Sequence, residues 1–357
     1  MILNIFVSAS LIFACLSCFI NPKTIWWFGI FGLAYLYILA INICFVVIWA
    51  LAKRKKLILI SAVSITFGLT FLGRNVQLFG KEIHDEDREN SFQVISFNVH
   101  GFSKLNRIQS DGKELNLFDF LRDKNADIIC LQEYKFRWWD KTFNENAIKK
   151  KLENTPYYHK ELRDDDFGLA TFSKYPIIHK ELVYHDRSIN ICMCSDIVMG
   201  ADTVRVYNVH LKSVGFQSEE KDLLENVVNR ELGKTVNTVS SIFLHLKKSS
   251  LKRADQVMIL MSHINQSPYP VIICGDFNDT PVSHSYQKVR GNRKDAFVKA
   301  GSGRSATFNI KRVIPLRIDY IMYSDVFKAY SYESPRVYLS DHFPVMCRLV
   351  KNKQIHP

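Results

Sequence analysis

Apolar and polar positions follow two different regimes along this chain. Residues 2–20, 25–52 and 57–73 are nearly continuous apolar runs, without the polar face that a helix on a soluble core keeps. The first two are long enough to cross a bilayer, and the third sits at the lower limit. Asn21-Pro22 divides the first run from the second, and Lys53-Arg54-Lys55-Lys56 divides the second from the third. Trp26 and Trp27 stand where an interfacial aromatic belt forms. The pattern predicts an N-terminal bundle of three transmembrane helices over residues 1–73. The first run could also be read as a signal peptide around Ala14-Cys15, but it lacks the basic start that such a signal needs. The basic cluster at 53–56 is expected to stay cytoplasmic. The expectation is an integral protein of a plasma or inner membrane, with everything after Arg74 on the extracytoplasmic side.

Residues 74–90 are polar, rich in Asp and Glu and without period, and read as a linker. Beyond them the pattern becomes short apolar runs separated by polar segments. Phe92–Val99, Ala126–Gln132, Val204–Leu211, Val271–Cys274, Arg317–Met322 and Phe343–Val350 are predicted strands. Leu115–Arg122 is predicted helical, as is most of 217–265, ending in Arg253–Ile264. The intervening segments are too irregular for a regular βαβ barrel. An α/β sandwich over 91–351 is expected, with a short tail at 352–357.

The mean hydropathy of −0.05 conceals this division. Eight basic and five acidic residues precede position 91, so the remainder carries about +9 of the formal +12. Such a surface favours polyanionic partners, nucleic acid or anionic lipid headgroups. Of the eight cysteines, Cys15, Cys18 and Cys44 lie in the apolar runs. Cys130, Cys192, Cys194, Cys274 and Cys347 lie in strand-like runs. An odd number there, without paired C-x-x-C motifs, argues against a disulfide framework and against a zinc knuckle. Cys192 and Cys194 would point to one face of a strand and read as packing.

The candidate chemistry lies where apolar strands end in polar residues. Asn98 closes one such strand and Gln132-Glu133 another; Asn208-Val-His210 ends a third, and Gly275-Asp276-Phe-Asn278 follows a fourth. Asp319 sits inside a fifth, and Ser340-Asp341-His342 opens the last. Taken singly, Gly-Asp-Phe-Asn and Ser-Asp-His read as turns. Six such sites in order are different, because isolated buried charge is expensive and a shared cation with a phosphate would satisfy all of them.

This ordered set resembles the endonuclease/exonuclease/phosphatase superfamily over about residues 92–350, and Gly168–Pro176 resembles one of its strands. The resemblance implies a four-layer α/β sandwich, two packed mixed β-sheets flanked by helices. It implies hydrolysis of a phosphodiester with Mg²⁺ or Mn²⁺, the ion bound by Glu133 with Asn98 and Asp341 assisting. Asp276 would orient or deprotonate the attacking water, and His342 would pair with Asp319. His210 and Asn278 would hold phosphoryl oxygens, with Asn208 beside them on the substrate. Nucleic acid is the favoured substrate class, anionic lipid the alternative, and an inactive membrane scaffold a third reading. Two weaker features are expected to be structural: the loop Asp164-Asp165-Asp166, and Arg253 with Gln256 bracing the Asp276 strand. The segment Arg137-Trp138-Trp139 follows the Glu133 strand and reads as a flank of the cleft or as ordinary packing. Gly233-Lys234-Thr235 lacks the upstream glycines of a phosphate loop.

Overall fold

The computed structural model describes residues 1–108, 114–135, 144–163, 166–185, 191–215, 236–310 and 314–352. Asp164-Asp165, Arg137-Trp138-Trp139 and Gly233-Lys234-Thr235 lie outside the described residues. The chain forms two compact units. One comprises residues 1–76, 214–257 and 279–291, and the other comprises the rest.

In the first unit, the three apolar runs become four helices: α1 (Ile2–Leu16), α2 (Phe28–Leu33), α3 (Tyr35–Leu51) and α4 (Lys55–Leu72). This corrects the expectation of three spanning helices. Among the described residues only α4 is long and apolar enough to cross a membrane, and α1 and α3 are shorter. Local geometry explains the shortening. The Ser17 hydroxyl donates back to the Ala14 carbonyl where α1 ends, and the second run breaks at Ala34, whose backbone (φ −89°, ψ 5°) is not helical.

These helices meet along a polar seam. Ser8 Oγ donates to Asn42 Oδ1 at 2.9 Å, and Ser61 Oγ donates to Asn4 Oδ1 at 2.6 Å. Asn42 Nδ2 donates to the Ile38 and Val7 carbonyls. Leu11, Tyr35, Leu39 and Phe71 pack between the helices as well, while other large apolar side chains lie outward, with Ile2 81%, Leu51 79% and Phe67 60% exposed. In the same unit, Arg253 Nε donates to Asp279 Oδ2 at 3.2 Å, so this arginine braces the chain just after the Asp276 strand.

The second unit is a sandwich of two six-stranded mixed sheets flanked by helices. Its strands are β1 (Ser91–Asn98), β2 (Ile128–Lys135), β3 (Tyr157–Leu162), β4 (Phe167–Ser173), β5 (Ile177–His185) and β6 (Ile191–Met199). They continue with β7 (Asp202–His210), β8 (Val271–Asp276), β9 (Lys294–Asp295), β10 (Asp319–Tyr323), β11 (Phe327–Glu333) and β12 (Val345–Lys351). The first sheet runs β11-β12-β1-β2-β4-β3 and the second β9-β10-β8-β7-β6-β5. Val94, Ile128, Cys130 and Cys347 of the first sheet pack against Val204, Val206, Ile272, Cys274 and Ile321 of the second. These strands are apolar on both faces because helices cover the outside. Phe118 and Leu121 of helix α5 (Leu117–Lys124) pack on Ile95, Phe97 and Ile129. Over the second sheet, His263 near the end of helix α7 (Val236–Asn265) bonds Tyr207 of β7; helix α6 (Glu145–Lys151) lies between α5 and α7 in the chain.

Residues 74–90, expected to form a linker, are partly docked. Lys81 N donates to the Ala300 carbonyl, Ser331 N donates to the Lys81 carbonyl, and Ile83 packs with Tyr330 and Val350.

Candidate active site

Strand register assembles the site. β1 and β2 run parallel with Asn98 opposite Gln132, so both end at one rim of the first sheet. In the second sheet β7 and β8 are parallel with His210 opposite Asp276, and antiparallel β10 sets Asp319 opposite Asp276. Each ladder therefore delivers its terminal polar residue to the same edge. Gly275 permits the close pairing, because a Cβ there would collide with the backbone carbonyl of Val209. At Glu133 the β2–β4 register slips, and its φ of 50° turns the carboxylate out of the ladder. Bulges at strand ends re-aim side chains in this way.

The side chains converge. Asn98 Nδ2 donates to Glu133 Oε1 at 3.2 Å and to Asp276 Oδ2 at 3.1 Å, joining the rims of the two sheets. His342 Nδ1 lies 2.9 Å from Asp319 Oδ2, and its Nε2 lies 3.6 Å from Asp276 Oδ2. His210 Nε2 is 3.7 Å from both Glu133 Oε1 and Asp276 Oδ2. The backbone N–H of Asn278 donates to Asp276 Oδ1 at 2.7 Å, and its side-chain amide donates to the Leu211 carbonyl at 3.0 Å.

Asn208 is placed differently from its expected role on the substrate. It is fully buried, its Oδ1 accepts from Gln132 Nε2 at 2.7 Å, and its Nδ2 donates to the Leu131 and Ala170 carbonyls. It acts as a strut between the sheets, with its polar atoms turned away from the rim.

His100 joins the site without having been singled out from sequence. Its Nδ1 lies 3.2 Å from Glu133 Oε2 and 3.6 Å from Asp341 Oδ2. Its position two residues beyond the strand-ending Asn98 was the only available signal, and its left-handed backbone (φ 45°) brings the ring back over the rim. Thr307 was also missed: its hydroxyl accepts the N–H groups of Ile318 and Asp319, each at 3.1 Å, and fixes the entry of β10. The ring of Phe308 covers His342 at 4.7 Å between centroids.

The electrostatics are those of a charged cluster whose inner members, Asp276, Asp319, His210 and His342, are buried. Burial, and then the charge of Asp319, push the Asp276 carboxyl up to about 6, against the lowering effect of His342 and His210. Burial would lower His342, but the charges of Asp319 and Asp276 outweigh it and hold the imidazolium up to about 10. Burial would raise Glu133, but hydrogen bonds from His100 and Asn98 and the charge of His210 bring it down to about 2. Its hydrogen bond to Glu133 raises His100.

The donor set fits a divalent cation. The carboxylates of Glu133 and Asp341 both face the His100 ring. Asp276, Asp319 and His342 offer three ligand atoms within 4.8 Å of one another, a group that could hold an ion. Both ring nitrogens of buried His210, and Oδ1 of buried Asp319, have no hydrogen-bond partner among the described residues. Orphaned buried groups of this kind are uncommon and mark a place for a bound species.

Comparison with known proteins agrees with this geometry. A family model described as the endonuclease/exonuclease/phosphatase family matches residues 95–342, and one described as a domain of unknown function matches residues 1–75. No curated protein matches the chain. Among solved structures, it is similar to an endonuclease/exonuclease/phosphatase from Bacteroides vulgatus, at 18% identity and a TM-score of 0.50. That alignment covers 73% of this chain and 99% of that one. It is similar to D. rerio TDP2 complexed with single strand DNA product, at 15% identity and a TM-score of 0.51, covering 74% and 99%. A third such structure, from Beutenbergia cavernae, gives 14% identity and a TM-score of 0.50, covering 74% and 72%. At these identities the likeness speaks to fold. The family model, by contrast, spans well over half of the sequence, and members of that family are in general phosphoesterase or nuclease hydrolases, typically dependent on a divalent metal. By the sequence match, and by the two-sheet sandwich whose strand ends converge, the chain belongs to the endonuclease/exonuclease/phosphatase family.

Proposed function

We propose that this protein is a membrane-anchored, divalent-metal-dependent phosphodiester hydrolase, nuclease-like in its chemistry, in which water attacks phosphorus in line. The observation that carries the reading is the meeting of Asn98, Glu133, His210, Asp276, Asp319 and His342 at one rim of the sandwich. Glu133, assisted by Asn98 and Asp341, would hold Mg²⁺ or Mn²⁺, since oxygen donors suit these hard ions. The ion supplies neutralisation of charge on the transferring phosphoryl group and a lower pKa for bound water.

The chain's own residues do the rest. Asp276, its carboxyl pushed up to about 6 by burial, accepts in its ionised form the proton of the attacking water. His342, kept protonated by Asp319 and Asp276, offers its Nε2 proton to charge developing on the phosphoryl group. His210 takes a non-bridging oxygen with a ring nitrogen that has no hydrogen-bond partner among the described residues. Asn278 steadies a second oxygen.

Nucleic acid is the substrate class we favour. The basic excess beyond position 90 supports it, since phosphate contacts dominate such binding. A structurally similar protein, D. rerio TDP2, has been crystallised with a single-strand DNA product. Hydrolysis of phospholipid headgroups is the second reading, favoured by the outward hydrocarbon of the N-terminal helices. In our reading that surface, with α4 as the candidate span, anchors the protein in a plasma or inner membrane. Residues 53–56 would be cytoplasmic and the catalytic unit extracytoplasmic.

The test uses the full chain in detergent with labelled DNA, RNA and phospholipid vesicles. Cleavage of DNA or RNA with Mg²⁺ or Mn²⁺, abolished by EDTA and weakened by salt, is expected. Headgroup release without nuclease activity would move the assignment to lipid. No hydrolysis of any of these would overturn the enzyme reading. Resistance of the full chain to alkaline extraction of membranes is expected, and its release would remove the anchor.

A further inference from the structure

A second cluster of metal-binding side chains lies on the outer face of the second sheet. Register puts Glu181 of β5 opposite Cys194 of β6, and Cys194 opposite Tyr207 of β7. Cross-strand partners share a face, so these three form one row. The neighbouring Val206 and Ile197 belong to the core between the sheets, so the row faces the other way. His179, two residues before Glu181, joins that face, and His263 comes down onto it from α7.

Glu181, Cys194 and His263 stand close enough to share one ion, and His179 bonds the Glu181 carboxylate from the side. His179 Nε2 is 3.1 Å from Glu181 Oε2, His263 Nε2 is 3.2 Å from Glu181 Oε1, and Cys194 Sγ is 3.8 Å from Glu181 Oε2. The ligand atoms of Glu181, Cys194 and His263 all lie within 4.8 Å of one another. Around a tetrahedral ion with bonds of about 2.0–2.3 Å, ligand atoms stand roughly 3.3–3.6 Å apart. Tyr207 supplies the outer support that such sites use, with its hydroxyl 2.8 Å from His263 Nδ1. A proton on Nδ1 given to that hydroxyl leaves the Nε2 lone pair directed at the cluster.

We propose that Glu181, Cys194 and His263, with His179 holding the Glu181 carboxylate in place, form a second metal site for a borderline divalent ion of the Zn²⁺ class, distinct in chemistry from the oxygen-rich catalytic rim. A thiolate and an imidazole beside one carboxylate select Zn²⁺ over Mg²⁺. On binding, Cys194 releases its thiol proton to solvent and contributes the thiolate. The site would clip β5, the edge strand of its sheet, to β6 and to α7, so its consequence is structural. It carries a transition-metal ligand set without any C-x-x-C motif, because the ligands are gathered by strand register and a helix instead of by sequence spacing.

The experiment strips the full-length protein with a chelator and titrates it with Co²⁺ in excess Mg²⁺. A thiolate-to-cobalt charge-transfer band in the near ultraviolet, saturating at one ion per chain, is expected. Cys194→Ser should abolish the band, and His263→Gln or the half-exposed His179→Ala should weaken binding at least about tenfold, the scale on which a metal site's supporting groups act. Glu133→Gln, at the catalytic rim, should leave the band unchanged. Far-UV circular dichroism checks that each variant is folded, and His179→Ala carries the test if Cys194→Ser is not. Absence of the band, its persistence in Cys194→Ser, binding unaltered in a folded His179→Ala, or its loss in Glu133→Gln would each overturn the proposal.

Discussion

Nδ1 of His342 stands 2.9 Å from Oδ2 of Asp319, and both residues are buried. This contact fixes the tautomer and orientation of the ring, leaving Nε2 toward the carboxylate of Asp276 at 3.6 Å. Asp319→Asn keeps the shape and removes the charge that helps hold His342 protonated. The variant is expected to lose on the order of 10²–10⁴ in kcat. The alkaline limb of its pH–rate profile should move to lower pH, because His342 then gives up its proton sooner. An unchanged alkaline limb would deny the imidazolium its role.

Glu133→Gln keeps a side chain able to bond Asn98 and removes the anionic oxygen that faces His100. Its apparent Mg²⁺ affinity should fall on the order of 10–100-fold, the range associated with weakened ligand support. Calorimetry, or Mn²⁺ electron paramagnetic resonance, measures this without reference to turnover. Equal affinity would place the ion elsewhere, Asp276, Asp319 and His342 being the next group to test.

The same glutamate links acid stability to the site. Its folded pKa is depressed to about 2, below the ordinary carboxylate value, so its ionised form stabilises the native state. That contribution is complete above about pH 4.5 and is lost as pH falls through the folded value. In metal-free protein, Glu133→Gln should flatten stability across this acid window, measured by denaturant midpoint against pH. A wild-type slope in the variant would exclude Glu133 as the source.

Asn208→Leu removes the strut between the sheets. Two backbone carbonyls and the Gln132 amide lose a partner in a fully buried setting. A loss of about 2–3 kcal/mol is expected, seen as a Tm lowered by roughly 5–10 °C. Michaelis constants of the folded fraction should be near wild type, because the side chain does not face the rim. A raised KM with unchanged Tm would return Asn208 to the substrate.

Arg317, two residues before Asp319 in the chain, forms a buried ion pair with Asp295. Arg317→Met strands the Asp295 carboxylate, which also caps the helix at Ala296–Ala300. Breaking such a pair costs about 3–5 kcal/mol. Adding Asp295→Leu in the same chain should recover part of that loss, and a double variant no better than the single would argue against the pair as the cause.

The sequence by itself determined the family and most of the rim. Asn98, Glu133, Asp276, Asp319 and His342 were legible because buried strands ending in carboxylates and amides are costly unless something pairs with them. The boundary between the apolar start and the α/β part was legible for the same kind of reason, an abrupt change in hydrophobic period. Tertiary structure alone decided other points. Asn208 and His210 are two residues apart on one strand end, yet the opposing sheet satisfies Asn208 as a strut and leaves both nitrogens of His210 without a hydrogen bond among the described residues. His100 reaches the site through a left-handed backbone turn that no periodicity reports. The three apolar runs broke into four helices because Ser17 and Ala34 interrupt them locally, while their hydrophobicity continues. Cys194 read as packing along its own strand, and only the register of β5 and β6 and the placement of α7 set Glu181 and His263 beside its sulfur. Alternation along a strand fixes which face a side chain takes, but contacts across strands depend on register and packing, which single-strand patterns do not encode.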